Sequence, residues 1–122
     1  MLRLLVVIGF LVLPAAASAQ EQAKPYEEQM SRLAEVLGSL HFLRRLCNAD
    51  EGPRWRVAMA ELLEAEQPSD ARRTALTARF NRGYGAFSRS YTTCTPAAVR
   101  AAELYRTEGL RLASQIVSRY AR

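Results

Sequence analysis

Apolar residues along this chain recur at spacings of three and four over four separate stretches, and no strand-like alternation of comparable length competes with them. The first stretch runs from about Glu27 to Cys47, with Met30, Leu33, Leu37, Leu40 and Cys47 on one face. The segment "NADEGP" breaks it. Pro53 suits the first turn of a second helix, where a missing N–H costs nothing, and Trp55, Met59, Leu62 and Leu63 supply its apolar side. After "QPSD", where Ser69 or Asp70 can cap, a third helix carries Leu76, Phe80, Gly83, Tyr84, Phe87, Tyr91 and Cys94 and is predicted to end at Cys94. Thr95 and Pro96 read as the N-cap and first position of a fourth helix, with Ala98, Ala102, Tyr105, Gly109, Leu112, Ile116 and Tyr120 on its inner stripe. Short connections make neighbouring helices antiparallel, so the pattern predicts an all-α domain, a small four-helix bundle in up-down-up-down order.

The N-terminus follows different rules. Arg3 supplies a positive start, Leu4 to Leu13 is an apolar run, and Pro14 leads into "AAASA", with Ala17 and Ala19 as the small residues before a cut ahead of Gln20. The run is shorter than the roughly 20 apolar residues a membrane span needs. Residues 1–19 therefore read as a signal peptide, leaving one domain at 20–122 with no transmembrane segment.

Export changes the meaning of the cysteines. An even count in an oxidising compartment favours a disulfide between Cys47 and Cys94. The predicted topology places the ends of helices one and three at the same pole, which agrees with that pairing. Counted down from this pole, Gly83 and Gly109 reach similar depths, so they are expected to face each other and let helices three and four approach closely.

The whole chain has 17 basic and 12 acidic residues; losing Arg3 with the signal leaves 16 against 12, a net of +4. A mildly basic exported protein favours acidic envelope surfaces. Nearly all of this base is arginine, with Lys24 the one lysine, which we read as coding bias before recognition.

Candidate chemistry is sparse. His41 is the only imidazole and sits at the edge of the first helix's apolar face, as a buried polar group and not a general base. Arg44 falls on that helix's apolar stripe, where it either snorkels or pairs near the disulfide pole. Glu61, Glu64 and Glu66 form an acidic cluster that reads as a solvated helix face. No catalytic residue, metal site or cofactor is assigned, and an enzyme is not expected. The one surface that suggests a ligand is Arg82, Gly85 and Arg89, within about 60° of one another on the outer side of the third helix, where a glycine between two arginines could seat a carboxylate or phosphate.

"RLAEVLGSLHFLRRLC", "WRVAMAELLEAE", "FNRGYGAFSRSYTTCTPAA" and "YRTEGLRLASQIVSRY" resemble a family of small exported alphaproteobacterial proteins known as a domain of unknown function. The resemblance covers nearly all of residues 20–122. It implies a signal peptide, a helical domain with paired cysteines and an envelope location, and it brings no reaction. The expected role is a periplasmic interaction or structural module with an envelope protein as partner. An anionic envelope component bound through surface arginines is the alternative, with a hydrolase third; nucleic acid is not expected.

Overall fold

The computed structural model describes residues 24–47 and 50–120, the last without its side chain. The expected signal peptide and the expected cut before Gln20 lie outside the described residues. Four helices follow in order: α1 (Glu27–Leu46), α2 (Arg54–Glu66), α3 (Asp70–Ser88) and α4 (Pro96–Tyr120). Among the described residues there is no strand. Two helix starts rest on side-chain caps: the Ser69 hydroxyl accepts from the Arg72 N–H at 3.2 Å, and the Thr95 hydroxyl accepts from the Ala98 N–H at 3.1 Å. Gln67 stops α2 in a left-handed conformation (φ 47°), and Pro68 behind it cannot continue the hydrogen-bond ladder.

The order is up-down-up-down. Tyr26 before α1 meets Glu66 at the end of α2, Glu27 and Glu35 pair with Arg72 and Arg79 in the same direction along α3, and Arg44 and Arg32 pair with Glu103 and Glu108 in the opposite direction along α4.

The helices do not form a square. α1 occupies the centre, and α2, α3 and α4 each pack chiefly against it. Its burial is not confined to one stripe: Val36, Leu37, Gly38, Ser39 and Leu40 are all buried in succession, which takes in the full circumference. The sequence carries the cause, because residues 36–43 ("VLGSLHFL") contain no formal charge.

Two expectations are corrected. α3 ends at Ser88, six residues before Cys94. The Ser88 hydroxyl donates to the Gly85 carbonyl at 3.3 Å and the Ser90 hydroxyl to that of Ala86. These local bonds compete with helix continuation, and Thr92 and Thr93 beyond them are poor helix formers. The Tyr91 N–H still turns back to the Phe87 carbonyl, and the connection delivers Cys94 to Cys47 with Cα atoms 4.9 Å apart. The disulfide thus joins the end of α1 to the loop before α4. Secondly, Gly83 faces Glu35 and Ser39 of α1, not Gly109. Gly38 on α1 faces the Phe80 backbone in return, and Gly109 lies against Val36. The close crossing is therefore between α1 and α3.

Candidate functional site

Because α2 and α4 both lie on α1 with little direct contact between them, a groove opens above the central helix. It consists of two adjoining depressions of about 280 and 230 Å³ that share Leu33, Leu62 and Ala113. Leu33, Leu37 and Leu40 of α1 form the floor nearer the disulfide, with Trp55 and Ala58 on one wall and Gly109 and Leu110 on the other. The far half is closed by Met30, Ala65, Ile116 and Val117. Leu110 and Val117 on the α4 rim are 61% and 64% exposed. Arg54 and Arg106 flank the half nearer the disulfide. Neither takes part in an ion pair among the described residues, and Arg54 lies 5.2 Å from the centre of the Trp55 ring. At the other end Glu66 is occupied by the Tyr26 hydroxyl at 3.1 Å and by Arg72 at 2.9 Å.

The residues singled out in the sequence lie elsewhere. Arg82 is exposed on α3. Arg89 folds back over Gly85, its Nη1 lying 3.2 Å from where a Cβ would stand, so the arginine itself covers the dent. Arg44 pairs near the disulfide pole: its guanidinium donates to Glu51 at 2.6 and 3.1 Å, and the Trp55 indole donates to the same carboxylate at 2.7 Å. His41 rests against Phe80 and Tyr84, ring centres 5.9 and 5.7 Å away, with Nδ1 buried and unpartnered. Burial lowers its pKa, and the nearby Arg45 and Arg56 lower it further.

Ionic ties between helices, not apparent from the sequence, hold the bundle together. Arg32 donates to both oxygens of Glu108, at 2.7 and 2.9 Å, and reaches Glu35 at 3.2 Å; Arg79 of α3 donates to Glu35 at 2.6 Å. One chain of charges thus links α1, α3 and α4. Arg72, only 7% exposed, donates to Glu27 at 2.8 Å and pairs with Glu66. Arg72→Met should destabilise the fold by about 2 kcal/mol, because it leaves two carboxylates facing each other at a partly wet edge; the full cost of breaking a buried pair is larger, about 3–5 kcal/mol. Urea unfolding checks this. A variant as stable as the parent would mean that the two acids rehydrate freely.

These pairs also set the response to acid. Hydrogen bonds from Arg44 and Arg32 hold Glu51 and Glu108 below the usual carboxylate range. A carboxylate whose pKa is depressed on folding stabilises the fold fully above its unfolded value, about 4.3, and loses that contribution as pH falls through the folded value. His41 acts in the same direction at higher pH: unfolded it binds a proton near about pH 6.5, folded only below that. Melting temperature should therefore decline gently below about pH 6.5 and more steeply below about pH 4.3. His41→Gln should remove the upper decline alone. A melting temperature constant from about pH 7 to 5 would contradict the His41 assignment, and one that stays constant well below about pH 4.3 would contradict the carboxylate assignments.

The family model described as "Protein of unknown function (DUF2385)" matches residues 25–120. The chain belongs to the DUF2385 family. No curated protein and no solved structure matches it. The DUF2385 match spans all four helices, both cysteines and every residue of the groove. Among the described residues, no helix of this DUF2385 domain is long and apolar enough to cross a membrane.

Proposed function

We propose that the protein is an exported binding module of the cell envelope that holds an amphipathic helix of a partner protein in the groove between α2 and α4. The single observation that carries this reading is the apolar groove between those helices, floored by α1 and bordered by the exposed Leu110 and Val117 of α4. A groove of this form takes a helix by its i, i+3, i+4, i+7 apolar residues. Charge selects the kind of helix. Arg54 and Arg106 flank the half nearer the disulfide and take part in no ion pair among the described residues, so the occupant carries carboxylates there. A second copy of this net-basic chain would bring like charges together.

Export rests on residues 1–19, with their positive start, apolar run and small-residue cut. The Cys47–Cys94 bond is compatible with an oxidising compartment, and the resemblance to exported alphaproteobacterial proteins agrees. The periplasm is the location this supports.

The test uses the mature protein as bait in periplasmic extract. Leu110→Asp places a charge on the groove rim and should abolish capture of the partner, whereas Arg82→Ala with Arg89→Ala on the far side should retain it. Capture unaffected by Leu110→Asp but lost with the double arginine change would move the binding face to α3 and favour the anionic-ligand alternative.

A further inference from the structure

A second depression, separate from the groove, opens where the end of α1 meets the start of α2. Its volume is about 390 Å³, and His41, Arg45, Gly52, Pro53 and Arg56 line it. That size falls within the usual range for small-ligand sites, about 300–1,000 Å³. Arg45 comes from the last turn of α1 and Arg56 from the first turn of α2, so two guanidiniums from different helices share one concavity.

Like Arg54 and Arg106, these two arginines take part in no ion pair among the described residues; what sets them apart is that both line one depression beside His41. Arg32, Arg44, Arg72 and Arg79 each hold a glutamate. Arg45 and Arg56 hold none among the described residues. The glutamate that precedes α2, Glu51, is already committed to Arg44 and Trp55. The position of Arg56 also runs against the helix dipole, since a cation in a first turn is disfavoured and an anion is favoured there. α2 has no acidic residue in that turn and no side-chain cap. Gly52 adds an open wall: its φ is +52°, and a Cβ on it would meet nothing within 4 Å.

We propose that this depression is a binding site for a phosphate monoester, gripped by the guanidiniums of Arg45 and Arg56 beside His41. A group with about two negative charges at neutral pH balances both cations, and each planar guanidinium offers a pair of donors to phosphate oxygens. A single carboxylate would leave one arginine unmatched. The His41 imidazole faces Arg45 on α1, Arg56 on α2 and the Tyr84 ring on α3. Phosphate between the two arginines offsets their repulsion of the imidazolium, so it raises the His41 pKa towards its ordinary value.

Isothermal titration of the mature protein with phenyl phosphate at constant ionic strength tests the site, with acetate and phosphatidylglycerol vesicles as comparison probes. Phenyl phosphate should bind, and Arg45→Gln and Arg56→Gln should each weaken it by about 10-fold or more, as expected for loss of a charge-assisted hydrogen bond. Arg82→Gln should leave it unchanged. Proton NMR of His41 should show its titration midpoint move upward on saturation with phenyl phosphate. Equal affinity for acetate, unchanged affinity in both glutamine variants, or a fixed His41 midpoint would overturn the site. Binding to the vesicles without binding to phenyl phosphate would make these arginines a membrane contact, and would overturn it equally.

Discussion

Gly38→Ala and Gly83→Ala should each lower stability by about 3 kcal/mol, the upper end of what overpacking costs, and a domain of this size then melts more than about 10 °C lower. Each glycine sits where backbone meets backbone. A Cβ on Gly38 would overlap the Phe80 carbonyl oxygen and stand 2.7 Å from the carbonyl carbon. A Cβ on Gly83 would overlap the Glu35 carbonyl oxygen and approach the Ser39 hydroxyl to 2.9 Å. No side chain can swing aside to relieve either contact, so α1 and α3 must separate, and with them the packing of Leu40, Leu76 and Phe80. Gly85→Ala provides the contrast. Its Cβ would meet only the tip of the Arg89 side chain, and removing a glycine from a helix interior gains up to about 1 kcal/mol. That variant should melt at or slightly above the parent. Thermal melts of the three proteins decide the matter, and near-parental values for Gly38→Ala and Gly83→Ala would show that the two helices lie further apart than described.

Removing the disulfide should cost about 4 kcal/mol on chain-entropy grounds, given the 47-residue separation between Cys47 and Cys94. The local packing points the same way. Leu43, Ala98 and Ala102 form a small apolar cluster at this pole, with Phe42, Leu46, Phe87 and Tyr91 around it. Two of its buried members are alanines, which contribute little area, so the covalent tie carries much of the attachment of the α4 start to the α1 end. Urea unfolding of the Cys47→Ser, Cys94→Ser variant should shift the midpoint well below that of the oxidised parent, and the parent with reductant should match the variant. An unchanged midpoint would mean that the cluster holds this pole without the bond.

Helix starts were legible in the sequence because caps are local chemistry: Ser69 and Thr95 needed only their own neighbours to be recognised. The pairing of Cys47 with Cys94 was legible because topology and cysteine count agreed. The end of α3 was harder, since Phe87, Tyr91 and Cys94 continue a helical spacing while Ser88, Ser90 and the two threonines redirect the backbone. Spacing records which side chains face inward and not whether the chain between them stays helical. The central place of α1 was visible in the charge-free run from Val36 to Leu43, but selecting a single apolar stripe hid it. Gly38 lies off that stripe and is hidden for the same reason.

The groove was less legible than any of these. α4 carries a second apolar series, Val99, Leu110, Ala113 and Val117, beside its inner stripe, and Arg106 interrupts it so that it resembles ordinary surface. Its meaning depends on where α2 stops on the other side of α1, which no local pattern states. The pairings of Arg32 with Glu108 and Arg72 with Glu27 join residues 76 and 45 positions apart, so they too follow only from the assembled fold. Arg82 and Arg89 stand out in the sequence because they are close together, whereas Arg45 and Arg56 converge across a turn.

Photo-crosslinking in living cells tests the docking groove most directly, with a photoreactive amino acid placed at Leu110 or Ala113 on the rim, or at Arg82 on the far side of α3. Both groove positions, and not position 82, should crosslink to one segment of another protein. Mass spectrometry of that segment should show apolar residues at i, i+3, i+4 and i+7 with carboxylates that can meet Arg54 and Arg106. Crosslinks from position 82 alone, or from the groove to a second copy of this chain, would contradict it.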